Sequence, residues 1–179
     1  MKIKDKYGNP KEVQTVSTGT IEAIISRREM RYAIDQDVID KQNLVLISIG
    51  EPTPKPGGYS QDIKLSDEEV KDFKDSLRIE FWDIEEDYGD YKIITDKQAK
   101  EIQDFIIKNK ENRFIINCQA GKSRSAAVGK AIECIVFFGV GDEAKYNYKT
   151  SFNSEISTHS RYFPNLTVFD KIVVAKLKP

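Results

Sequence analysis

Cysteine and histidine are nearly missing from this chain: Cys118, Cys134 and His159 are the whole set. No Cys-x-x-Cys pair occurs, and one imidazole with two scattered thiols cannot assemble a zinc finger, so no metal is expected. No apolar run approaches the roughly 18 residues that a membrane-crossing helix needs. The opening Met1-Lys2-Ile3-Lys4-Asp5-Lys6 leads into no apolar stretch, so no signal peptide is predicted. Charge of one sign is lacking as well. Lys and Arg number 28 against 29 Asp and Glu, a formal net charge of −1. Without a basic field, neither nucleic acid nor a membrane surface is favoured as partner. Internal repeats and low-complexity linkers are also absent. A reducing, cytoplasmic setting suits a chain whose thiols are free.

What is present is ordinary globular material: 179 residues, 39% hydrophobic and 32% charged. That is enough for one domain spanning residues 1–179 with its own core. Ile21, Ile24 and Ile25 share a face of a predicted helix from about Thr18 to Arg31. Asn43 to Ile49 reads as a buried strand. Three prolines and two glycines make Glu51 to Tyr59 a loop. Ser66 and Glu69 form a capping box opening a helix with Val70, Phe73 and Leu77 on one side. Arg78 to Trp82 reads as a second strand. Thr95 and Gln98 open another helix, with Ala99, Ile102, Phe105 and Ile106 facing one way. Asn109 to Asn112 is a turn, and Arg113 to Asn117 a third strand. An apolar helix covers Ala126 to Phe138, an irregular polar stretch runs from Gly139 to Asn165, and a last helix spans Leu166 to Leu177. Strands alternating with helices predict an α/β fold, a central mostly parallel sheet flanked by helices.

The chemistry concentrates in Cys118-Gln119-Ala120-Gly121-Lys122-Ser123-Arg124-Ser125, between the third strand and the apolar helix. A strand ending at a cysteine, a tight loop and a helix starting near an arginine build an anion cradle. Amides of Gln119, Ala120, Gly121, Lys122, Ser123 and Arg124 can wrap the oxygens of one phosphate. Gly121 lets the backbone approach the anion, and Arg124 adds a planar bidentate clamp. Cys118 then lies below the phosphorus for in-line attack, and Ser125 can donate its hydroxyl to the sulfur. A leaving oxygen needs a proton, which a carboxylic acid on a neighbouring loop supplies. Asp83, closing the second strand, is the first candidate; Asp87 and Asp90 are alternatives in the same acidic stretch.

Ala120-Gly121-Lys122-Ser123 also ends as a nucleotide-binding Walker loop does. Ile116 stands where that motif requires its first glycine, which weighs against it.

Asn117 to Ser125 resembles the His-Cys-x5-Arg-Ser/Thr signature of cysteine-dependent protein tyrosine and dual-specificity phosphatases, closest to the compact dual-specificity-like branch with bacterial and phage members. Phe81-Trp82-Asp83-Ile84 is similar to the segment carrying that family's general acid, which favours Asp83. The resemblance covers roughly residues 43–138, with helical additions at either end. It implies a dual-specificity-phosphatase-like fold and hydrolysis through a phosphocysteine without cofactor. It further implies a phosphotyrosine protein or peptide as substrate, phosphoserine or phosphothreonine being possible, with phosphate or sulfate able to occupy the loop. Lys122 leaves room for a more anionic substrate, a phosphoinositide or an RNA 5′-phosphate end. Asn117 replaces the family's histidine; it can hydrogen-bond a loop carbonyl but brings no charge, so slower turnover, or a phosphate-binding module with little catalysis, is the alternative. Cys134 is expected in the core, His159 at the surface, and Tyr146, Tyr148, Tyr162 and Phe163 either around a pocket or anchoring the irregular segment.

Overall fold

The computed structural model describes residues 1–5, 7–52 and 64–176. A short antiparallel pair, β1 (Lys2–Lys4) and β2 (Pro10–Glu12), precedes a four-stranded sheet. That sheet holds β3 (Ile21–Ser26), β4 (Leu44–Gly50), β5 (Asp75–Glu80) and β6 (Arg113–Cys118) in the order β3-β6-β4-β5, all parallel. Every residue of β4 is buried, as expected of a parallel strand covered by helices on both faces.

Alternation along β6 separates two cores. Phe114, Ile116 and Cys118 face a layer made by α3 (Asp96–Lys108), α4 (Arg124–Phe138) and α7 (Leu166–Val173). Ile115 faces the other way, towards Met30 and Ala33 of α1 (Arg27–Asp35) and towards Ile3, Val13 and Leu65. The fold is therefore α/β, with a parallel sheet between helical layers. Among the described residues no helix is long and apolar enough to cross a membrane.

Four expectations need correcting. Thr18 to Arg31 is not a helix: Ile21–Ser26 is the edge strand β3, and α1 begins at Arg27. Consecutive β-branched Ile24 and Ile25 pair with Ile116 and Asn117, and tertiary pairing overrides the helical spacing. Next, the helix at Ser66 is capped as predicted, but α2 (Asp67–Val70) ends after one turn, and Leu77 pairs with Ile47 inside β5. The second strand thus starts earlier and ends at Glu80, leaving Trp82 beyond it. Finally, the stretch from Gly139 to Asn165 contains α5 (Asp142–Ser151) and α6 (Glu155–Thr158). Tyr148 of α5 packs against Phe138, Phe152 and Phe169, which stabilises a helix whose sequence is mostly polar. The proline-rich loop lies, from residue 53 onward, outside the described residues; the last helix stops at Val173, short of the predicted end, and residues 174–176 are not helical.

One polar knot joins the chain's two ends to the sheet. Glu29 accepts from the backbone and hydroxyl of Ser26, from Arg161 at 2.6 Å and from Lys11 at 3.2 Å. Burial alone would raise its pKa, but the Ser26 and Arg161 donors outweigh that and pull it from 4.5 to about 2. A carboxylate depressed in the folded state contributes stability above its unfolded pKa and loses it as pH falls through the folded value. Glu29→Gln is therefore expected to cost on the order of 2 kcal/mol at neutral pH. Urea unfolding should show that gap narrowing steadily as pH drops below 4.5 towards 2. A gap independent of pH would mean that the knot is not charged.

Candidate active site

Cys118 ends the central strand β6, with Ser26 beside it on β3. The loop from Gln119 to Ser123 turns back into α4. Gly121 has φ +67° and lies so close to β3 that a Cβ there would stand 2.3 Å from the Ile25 carbonyl carbon and 2.4 Å from the Ser26 nitrogen. Only glycine can take that conformation in that space.

The loop's hydrogen bonds are lopsided. Its carbonyls are held from outside: Gln119 accepts from the Arg27 N–H at 3.3 Å, and Lys122 from the Phe163 N–H at 3.1 Å. Among the described residues, the N–H groups of Gln119, Ala120, Gly121, Lys122 and Ser123 donate to nothing. Nor does Ser123, the N-cap of α4, cap it with its side chain; its hydroxyl goes to Asp83 instead, at 2.7 Å. A run of unused donors thus meets the positive end of a 15-residue helix. The Cys118 sulfur lies 3.1 Å from the hydroxyl oxygen of Ser125 in the first turn of that helix, in a residue only 2% exposed.

Arg124 is also buried. One terminal nitrogen, Nη1, donates to the carbonyls of Gly50 and Phe81, each at 3.0 Å, which fixes the guanidinium against the ends of β4 and β5. Its Nη2 donates to Glu51 at 3.3 Å, and its Nε lies 3.9 Å from the Asp83 carboxylate. The edge suited to a bidentate oxyanion is the one facing those two carboxylates.

Asp83 stands three residues past Glu80, the end of β5, with its Oδ1 accepting from Ser123 and, at 3.2 Å, from the Asn165 amide. Asn165 also donates to the Ile84 carbonyl at 3.1 Å. The two alternatives sit differently. Asp87 accepts from the Ile93 N–H at 2.9 Å and pairs with Lys92; the Ile93 bond, then Lys92, hold its carboxyl below the usual range, so it is a poor proton donor. Asp90 lines a shallow cavity of about 260 Å³ beside Trp82 and Lys92. Trp82 is half-buried and meets Tyr91 edge-on, beside the acid loop.

The structure thus brings Cys118, Ser125, Arg124, Ser123 and Asp83 together. Asn117 behaves otherwise than expected. Its amide is fully buried and, among the described residues, neither its oxygen nor its nitrogen has a partner, so it does not bind a loop carbonyl. Ile116 is buried in β6 against Ile24 and Ile47, which leaves no room for the glycine turn of a nucleotide loop. Cys134 is buried and, like Cys118, free, while burial pushes its thiol up to about 12. Among the described residues no group of three or more metal-binding side chains occurs.

Two participants were not foreseen, Glu51 and Asn165, while Phe163, expected around a pocket or as an anchor, bonds the loop through its N–H. Glu51 directly follows a buried strand end, where ligand-facing side chains collect in open sheets. The Pro164-Asn165 pair ahead of the final apolar helix signalled an N-cap, and Asn165 does accept from the Val168 N–H. No family model matches the chain, and no curated protein matches it.

Proposed function

We propose that the chain is a metal-independent phosphomonoester hydrolase, of the dual-specificity protein phosphatase kind, working through a phosphocysteine. The observation that supports this best is the run of N–H groups without acceptors between the end of β6 and α4, in the loop that follows a sulfur 3.1 Å from the Ser125 hydroxyl. Those donors and Arg124 receive the phosphate oxygens, and the transition-state charge gathers on the same oxygens. Cys118 attacks phosphorus, the ester P–O bond breaks, and Asp83 delivers its proton to the departing oxygen. The Asp83 carboxylate then takes a proton from water, which attacks the phosphocysteine; the sulfur leaves as thiolate, stabilised by the Ser125 hydroxyl. A phosphorylated protein or peptide is the substrate class that the signature favours. The test is hydrolysis of p-nitrophenyl phosphate by the wild type in EDTA, beside Cys118→Ser. A phosphate-binding module without turnover is the second reading, favoured by the uncharged and unpartnered Asn117.

Asn165 gives a finer test, because its bonds to Asp83 and to Ile84 hold the acid loop still. Asn165→Ala should lower kcat about tenfold for esters of poor leaving alcohols. p-Nitrophenolate leaves without protonation, so its hydrolysis should fall far less. Equal losses on both substrates would assign Asn165 a role in folding alone.

A further inference from the structure

We propose that Phe163 is the residue through which this site grips the organic half of its substrate, an aromatic or other apolar group esterified to the phosphate. The proposal rests on the phosphatase reading. The loop accounts for the phosphate, but nothing in it recognises what the phosphate is attached to: Gln119, Ala120 and Lys122 offer only polar or small surface there.

Phe163 is different. It is 69% exposed, yet its own N–H is bonded to the Lys122 carbonyl on the loop itself. The residues on either side are fixed. Tyr162 is 5% exposed, its hydroxyl 3.1 Å from both Thr15 and the Ile24 carbonyl; Asn165 is 4% exposed and bonded to Asp83. Leu166, just beyond, is 51% exposed. Single exposed apolar residues are common and by themselves mean little. A phenylalanine displayed on a backbone clamped before and after it, and hydrogen-bonded to the anion loop, is an ordered apolar lip. An incoming aryl group meets a ring whose backbone is already ordered, so the contact is not offset by that ordering cost.

The experiment compares wild type, Phe163→Ala and Phe163→Trp on 2-naphthyl phosphate and on glycerol 2-phosphate, with inorganic phosphate as competitive inhibitor. Phe163→Ala should raise KM for the naphthyl ester about fivefold to tenfold, with kcat within about twofold. KM for the glycerol ester and the inhibition constant of phosphate should stay within about twofold, and Phe163→Trp should restore naphthyl affinity. An unchanged naphthyl KM, or an equal rise for naphthyl ester, glycerol ester and phosphate, overturns the proposal and leaves the phosphatase reading standing. Absence of any hydrolysis by the wild type removes both.

Discussion

Replacing Cys118 by serine should abolish hydrolysis of p-nitrophenyl phosphate, by at least about a thousandfold, while phosphate still binds within about twofold of wild type. The asymmetry follows from what surrounds the sulfur. Its one side-chain hydrogen-bond partner in the described structure is the Ser125 hydroxyl, which can donate to a thiolate but cannot take a proton from an alcohol. The chain's single histidine, His159, does not bond the sulfur; its Nδ1 accepts from the Arg161 N–H. A serine at 118 therefore stays a neutral alcohol and does not attack. The donors proposed to hold the oxygens belong to the backbone from Gln119 to Ser123 and to Arg124, and the substitution leaves these in place. Calorimetric titration with inorganic phosphate, beside steady-state rates in EDTA, separates the two effects. Undiminished turnover would exclude the phosphocysteine; loss of phosphate binding together with turnover would show that the sulfur holds the loop in shape.

Gly121→Ala should be damaging for a purely steric reason. The backbone there adopts φ +67°, which costs an alanine about 1 kcal/mol. Its Cβ would also collide with backbone atoms of Ile25 and Ser26 that cannot rotate aside. Strand and loop must separate, at a further cost of about 2 kcal/mol. For a chain of this size the sum lowers Tm by roughly 6–12 °C. Separation also moves the Gln119 and Lys122 carbonyls off their anchors, so phosphate affinity should fall at least about tenfold even in the fraction that stays folded. A variant with wild-type Tm and phosphate affinity would mean that the loop does not pack on β3 as described.

The parts legible beforehand were those written in local patterns. The capping boxes at Ser66 and Thr95, the buried run of β4 and the glycine inside the cysteine loop each needed only a short window. The edge strand β3 was misread because Ile21, Ile24 and Ile25 fit a helical stripe as well as a strand, and only its pairing with β6 decides between them. The capping box of Ser26 and Glu29, which the sequence reading passed over, marks the true helix start and is formed. In the site, Cys118, Arg124 and Ser125 follow from spacing within one loop. Glu51 and Asn165 do not: each reaches its partner across 73 and 82 residues, distances over which no periodicity carries information.

Those spans bear on how the proposed catalyst is dissected. The signature is nine residues long, Asn117 to Ser125, but the walls around it are contributed by β3, by Glu51 and by a strap after residue 160 that is moored to Gln14 and Glu29 near the other terminus. A piece trimmed to residues 43–138 would keep Cys118, Arg124 and Asp83, the proposed nucleophile, clamp and acid, yet have no strand for Gly121 to rest on and no amide to steady Asp83. Excision would yield the reagents without the vessel.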